Sequence, residues 1–238
     1  MVDETDKRKS TTLVLLPGLD GTDVFFRPLL ALLPQSVCPH VIGFPPVGVN
    51  EYADLLAIVR EAVSEMPNFY VLGWSFAGPL ALMLANAEPA KVRGVILSAT
   101  FVRPPRPIYS RLRFAAVAPV IWTIRAGRRL PVWLSRGPTD KLRLDKAETW
   151  RRVNARTVAA RIRALLSMDA STLLRSCPSR VLCMAGSHDR IVPRRNVEEI
   201  IHLRPSVSVR IIEGHHFSMY TNPTAAAKVI TEFINERR

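Results

Sequence analysis

The chain has 238 residues, 48% of them apolar and 22% charged, which is enough to bury one full core and too apolar for a disordered protein. Eleven glycines without a repeat argue against collagen-like or solenoid chains, and the odd number and spacing of Cys38, Cys177 and Cys183 argue against a disulfide framework or a zinc ribbon. The formal charge of +13 is a statement about partners and not about fold.

In chain order, the first ten residues are polar and charged and lack the apolar run of a signal peptide. No stretch approaches the roughly 18 apolar residues of a membrane span, so a soluble cytoplasmic protein is the expectation. Residues 12–16 read as a buried strand ended by Pro17 and Gly18, 24–33 as a helix, and 41–44 as a short strand before Pro45 and Pro46. Residues 52–63 have helical spacing, with Leu55, Ile58, Val59 and Ala62 on one side. A strand at 69–72 runs at once into a helix at 75–85, and 92–97 is the next strand. After a basic segment come a strand at 180–184, a helix at 196–203, a strand at 207–212 and a closing helix at 224–234. Strands alternating with helices predict an α/β fold, a mostly parallel sheet covered by helices on both faces.

The basic segment interrupts that alternation. Residues 101–175 contain 17 basic and four acidic residues, so this one segment holds the whole excess charge, and 15 of its cations are Arg. It also holds Trp122, Trp133 and Trp150 of the four tryptophans. It is predicted to be a helical cap inserted between residues 1–100 and 176–238, which form the core. Periodicity puts Arg152, Arg156 and Arg163 on one helical face, and Ala155, Val158, Ile162 and Leu165 on another. That Arg face reads either as a docking surface or as the solvated side of a packed lid.

The strongest local signal is Gly73-Trp74-Ser75-Phe76-Ala77-Gly78, set between a strand and a helix. On such a turn the serine hydroxyl projects from the sheet, and small residues are needed two positions before and after it. A nucleophilic serine needs a base, and the base an orienting acid. Asp189 lies in the loop after the penultimate strand, and His215 and His216 follow the last one. The order serine, acid, histidine, each just past a strand, gathers the three at the edge where open α/β sheets bind ligands. The turn 17–21 after the first strand lies at the same edge. No metal-ligand spacing and no phosphate-binding glycine motif appears, so neither a metal nor a nucleotide cofactor is implied.

Through residues 13–21, 73–78, 186–193 and 214–217 the chain resembles the α/β-hydrolases over essentially its whole length. The resemblance implies Ser75 as nucleophile, Asp189 as acid, and the backbone N–H groups of Leu19 and Phe76 as an oxyanion hole, with Trp74 beside the substrate. It favours His216 over His215 as base, because family members carry an apolar residue directly after the base, here Phe217. The sequence departs from the family at Pro17-Gly18, where His-Gly is usual, and at Ala77, where the second elbow glycine is usual. The expected activity is hydrolysis of a carboxylic ester through an acyl-enzyme.

The Gly73-Trp74-Ser75 elbow and the basic cap are also similar to those of the biotin-pathway esterases that cleave pimeloyl-[acyl-carrier-protein] methyl ester. That resemblance implies an acidic carrier protein docked on Arg152, Arg156 and Arg163. The alternatives are a general carboxylesterase or thioesterase on small or medium acyl groups, a lipase working at a membrane surface, and a binding protein that uses the basic cap. Nucleic acid is not expected as a partner, because the basic segment lacks interleaved glycines and surface aromatics.

Overall fold

Strands β1 (Thr11–Leu16), β2 (Val37–Val41), β3 (Phe69–Trp74), β4 (Val92–Ser98), β5 (Arg180–Gly186) and β6 (Ser208–Ile212) form one parallel sheet in the order β2-β1-β3-β4-β5-β6. The computed structural model describes residues 10–48, 50–106, 119 and 140–236. From β1 the chain steps to the edge with β2, then crosses back to β3 and builds outward to β6. The order reverses between β1 and β3, and the loops leaving those two strands part there to open a crevice at their carboxyl ends.

Both faces of the inner strands are buried, which is why β1, β3, β4 and β5 read as largely continuous apolar runs rather than alternating ones. Leu13 and Leu15 point to one face, where they join Phe26, Leu29, Ile230 and Phe233. Val14 and Leu16 point to the other, beneath Leu55, Val59, Leu80 and Leu84. The helices supplying these residues are α1 (Arg27–Leu30), α2 (Tyr52–Ala62) and α3 (Gly78–Ala87), with α8 (Ser218–Thr221) and α9 (Pro223–Asn235) at the end of the chain. Between β4 and β5 the described chain forms α4 (Asp140–Arg152), α5 (Ala155–Ser167) and α6 (Ser171–Ser176), and α7 (Arg194–Leu203) links β5 to β6. The three helices before β5 occupy the position of the expected cap. Trp122 and Trp133 lie outside the described residues.

Three expectations are corrected. The second strand is Val37–Val41 and not 41–44. It is an edge strand whose Cys38, Pro39 and His40 are exposed, so it lacks an apolar signature, and a Pro is tolerated because no further strand needs its N–H. After Ile42 donates its N–H to the Leu15 carbonyl at 3.1 Å, the chain leaves the ladder, and Phe44 N–H bonds Gly21 O at 2.9 Å instead. The helix expected over 24–33 is a 3-10 turn, Val24–Phe26, followed by the one-turn α1. Pro28 has no N–H to continue the first segment and suits the first turn of the second.

The third correction concerns the Arg face. Arg152 ends α4, and Asn154 takes an extended conformation and caps α5, its side chain accepting from Arg156 N–H at 2.8 Å. The break takes Arg152 off the face shared by Arg156 and Arg163. Its guanidinium turns to Glu148 and, at 3.4 Å, to Asp23. Arg156 and Arg163, seven residues apart on α5, are both exposed. Of the four expected on the apolar face, Ala155, Val158 and Ile162 pack with Trp150 and Leu19, while Leu165 packs against the core beneath the sheet's helices.

Candidate active site

The site begins where β3 ends. Ser75 has φ +53°, a left-handed conformation that costs a non-glycine residue about 1–2 kcal/mol and turns the chain sharply out of the strand. That turn works only if the flanking residues lack bulk. A Cβ on Gly73 would lie 2.3 Å from the Ala77 carbonyl oxygen, and one on Gly78 would lie 2.1 Å from Thr100 Oγ1. Ala77 sits at φ −85°, where a methyl group is accommodated, so the departure from glycine there carries no strain. Two side chains hold the elbow from beneath. Thr100 Oγ1 donates to the Ser75 carbonyl, and Tyr52 Oη donates to the Phe76 carbonyl at 2.8 Å while its ring stacks on Phe76 at 4.8 Å. Burial raises the Tyr52 phenol well above its ordinary pKa, keeping it a donor.

Asp189 and His216 meet the serine at the same edge. Asp189 Oδ1 accepts the N–H groups of Ile191 and Val192 at 2.8 and 2.9 Å, which fixes the carboxylate. Its Oδ2 lies 2.8 Å from His216 Nδ1, and His216 Nε2 lies 2.9 Å from Ser75 Oγ. A carboxylate only accepts, so the proton of the first contact is on Nδ1, which leaves Nε2 to accept the serine hydroxyl proton. The Asp189 and His216 side chains are 3% and 8% exposed, so water competes little for these bonds. The neighbouring His215 is exposed, and its Nδ1–H donates to the His188 carbonyl at 3.0 Å, away from the serine. His216→Ala is therefore expected to remove nearly all turnover of an ester, and His215→Ala to change kcat by less than about threefold, measured side by side. The reverse ranking would overturn the assignment of the base.

A cavity of about 160 Å³ opens over Ser75 and His216. Trp74, Phe25 and Phe217 form one wall, with Trp74 and Phe217 edge-on at 5.4 Å, and Leu19 and Asp20 form another. Further described lining comes from α4, the start of α5 and the break between them: Lys146, Thr149, Trp150, Val153 and Val158. Of the residues assigned from sequence, Ser75, His216, Trp74 and Leu19 line this cavity, Asp189 lies behind His216, and Phe76 is buried in the elbow. Arg152, Arg156 and Arg163 lie outside it.

Arg161 was not among the assigned residues, yet it joins α5 to this site. It is wholly buried, and its guanidinium donates to Leu19 O at 2.9 Å, Pro45 O at 2.9 Å and Asn50 Oδ1 at 2.6 Å. Burial lowers its pKa to about 10, so it stays charged at neutral pH, and the nearby Asp20 favours that charge. Burial raises Asp20, against which the Thr22 hydroxyl and N–H and the Arg161 charge act. Lys146 and Thr100 also belong to no motif. The available signals were weak: a charge at 161 between the apolar Val158 and Ile162, and a Lys at 146 in the stripe formed by Leu142, Thr149 and Val153. Among the described residues no cluster of three His, Cys, Asp or Glu side chains is placed to hold a metal.

Residues 13–229 match the sequence profile of the alpha/beta hydrolase family. The chain belongs to that family. The curated pyrrolizixenacetamide deacetylase of Xenorhabdus hominickii is 23% identical to this hydrolase, over 78% of the chain and 72% of that protein. Solved structures with the same fold include a hydrolase from Pseudomonas aeruginosa, 20% identical with a TM-score of 0.79, which covers 95% of this chain and 91% of its own. The enol-lactonase from Burkholderia xenovorans is 16% identical with a TM-score of 0.77, covering 95% and 92%. Among the described residues of the hydrolase no helix is long and apolar enough to cross a membrane.

Proposed function

We propose that this hydrolase cleaves carboxylic esters through a Ser75–His216–Asp189 triad and an acyl-enzyme. The observation that carries this reading is the continuous hydrogen-bonded line from Ser75 Oγ through His216 to Asp189, at 2.9 and 2.8 Å, open to a cavity at the serine end. His216 Nε2 takes the hydroxyl proton as Ser75 Oγ attacks the ester carbonyl carbon. The oxyanion of the tetrahedral intermediate is stabilised by the backbone N–H groups of Leu19 and Phe76. Collapse breaks the bond to the alkoxy oxygen, which leaves as an alcohol with the proton from His216. Water then attacks the acyl-enzyme, gives its proton to His216, and the carboxylic acid departs as Ser75 recovers the proton. Asp189 keeps the imidazole in the required tautomer and stabilises the imidazolium formed at each transfer.

The test is hydrolysis of 4-nitrophenyl butyrate beside 4-nitroacetanilide, since the Xenorhabdus relative is by its name a deacetylase of an acetamide. Faster turnover of the ester supports an esterase, and turnover of the anilide alone would make the enzyme an amidase.

A finer reading concerns the acyl carrier, including the pimeloyl-[acyl-carrier-protein] methyl ester considered above. Its support is the exposure of Arg143, Arg151, Arg156 and Arg163 on α4 and α5, a surface that would attract an acidic carrier protein. Screening shortens such attraction to about 8 Å at physiological ionic strength. Turnover of a carrier-linked ester is expected to fall steeply with added salt, while that of 4-nitrophenyl butyrate stays level. The pair Arg156→Glu and Arg163→Glu is expected to raise KM for the carrier-linked ester alone. An equal salt response of the two esters would leave this face merely solvated.

A further inference from the structure

We propose that Thr100 is a positioning residue for hydrolysis: its hydroxyl holds the peptide unit whose N–H stabilises the oxyanion. This rests on the Ser75 triad and its oxyanion assignment, and adds a residue to them. The carbonyl of Ser75 and the N–H of Phe76 belong to one rigid peptide plane, so whatever fixes the oxygen aims the N–H. The Ser75 oxygen accepts two hydrogen bonds, from Gly78 N–H within the 3-10 turn and from Thr100 Oγ1. The Phe76 N–H stands at the start of that turn, ahead of the donors the turn itself uses. A bond at the carbonyl also polarises the amide, which makes its N–H a better donor. The Gly18 carbonyl, in the plane of the Leu19 N–H, likewise accepts from Gly21 N–H at 3.0 Å. Both peptides assigned to the oxyanion are thus anchored through their oxygens, one by the backbone and one by a side chain.

Two features of the chain serve the contact of Thr100. Ser75 and Ala99 are the non-glycine residues with positive φ among the described residues, and the triad accounts for the first alone. Ala99, at φ +45°, still belongs to the sheet through its N–H, which donates to Met184 O at 2.8 Å. Its left-handed turn takes the chain out of β4 and beneath the elbow, where Thr100 is 3% exposed. The second feature is Gly78 at the start of α3. Alanine would suit a helix better, but the space of a Cβ at 78 is filled by the Thr100 side chain. Strained backbone of this kind concentrates at functional sites. Thr100 does not line the cavity, so it reaches the reaction only through the peptide it holds. A bond that aims the N–H acts where charge develops on the carbonyl oxygen, and its loss falls on kcat rather than on KM.

The experiment compares the native protein with Thr100→Val, which keeps the shape and loses the hydroxyl, on 4-nitrophenyl butyrate. The expected result is a kcat about tenfold or more lower with KM within about twofold, part of the roughly 10²–10³ that one oxyanion donor contributes. An alkyl trifluoromethyl ketone gives a second readout. Ser75 Oγ adds to its carbonyl carbon, the hydroxyl proton passes to His216, and the carbonyl oxygen becomes the oxyanion. Its Ki is expected to rise by about the factor by which kcat/KM falls, a change that a merely structural bond would not produce. Thr100→Ser, which keeps the donor, is expected to stay within about threefold of the native kcat, and Thr100→Ala to lie about tenfold below Thr100→Ser. That pair reads the same hydroxyl if Thr100→Val does not fold. A kcat for Thr100→Val within about threefold of native, a Ki unmoved by loss of the hydroxyl, or equal rates for Thr100→Ser and Thr100→Ala overturns the proposal and leaves the esterase reading intact. If the native protein neither turns over the ester nor binds the ketone, the esterase reading itself fails, and this proposal with it.

Discussion

Ser75→Ala is expected to lower kcat on 4-nitrophenyl butyrate by about 10³-fold or more while leaving the protein folded. The hydroxyl has a base at hydrogen-bond distance, His216 Nε2 at 2.9 Å, and among the described residues no part of the elbow is held through it. The backbone there is fixed instead by Thr100 and Tyr52, which bond the carbonyls of residues 75 and 76. Ala also occupies the left-handed conformation at Ser75 at a similar cost, so the urea midpoint is expected to move little. A fluorophosphonate probe is expected to label the native protein at Ser75 and to leave the variant unlabelled. Full activity in Ser75→Ala, or labelling at another serine, would overturn the nucleophile.

Arg161→Leu is expected to cost about 3–5 kcal/mol of stability, read from urea unfolding. The leucine fills part of the space but leaves Leu19 O, Pro45 O and Asn50 Oδ1 without their donor, and it removes the counter-charge of Asp20. Activity is expected to fall by more than the unfolded fraction explains, because Leu19 belongs to the loop assigned to the oxyanion. Arg161→Lys retains the charge but cannot span three separated oxygens as a guanidinium does, so an intermediate loss is expected. A variant as stable as the native protein would mean that the loop is held by its other contacts, such as the bond between Gly21 N–H and Gly18 O.

The contacts of α5 with the rest of the protein bear on both results. Asn154 N–H bonds Pro46 O at 2.9 Å, Thr157 Oγ1 bonds Gly48 O at 3.0 Å, and Arg161 reaches Pro45 and Asn50. One side of α5 is thus tied to the segment after β2 over two turns. Its opposite side, with Arg156 and Arg163, faces solvent. Substitutions on the exposed side can probe partner recognition without disturbing the cavity, and those on the tied side cannot.

The sequence by itself determined the elements whose signal is local. The four inner strands, β1, β3, β4 and β5, carry apolar runs because both faces of the sheet are covered there, and these four and β6 were each placed within a few residues of their positions. The elbow at Ser75 was legible because a tight turn restricts the residues beside it, as the contacts of Gly73 and Gly78 make plain. The positions of Asp189 and His216 followed from their places after β5 and β6. Edge strand β2 escaped because a strand with one free side needs neither an apolar run nor every N–H, so Cys38, Pro39 and His40 carried no signal. Tertiary structure alone decided the rest, since it depends on partners distant in the chain. The capping of α5 by Asn154 separated Arg152 from Arg156, although helical periodicity continued through them. The buried roles of Arg161 and Lys146 are set by the carbonyls 142 and 116 residues away that one meets, and by the aromatic wall that the other faces. A charged side chain in a sequence is most simply read as solvated, and only the packing around it shows that it has been drawn inside.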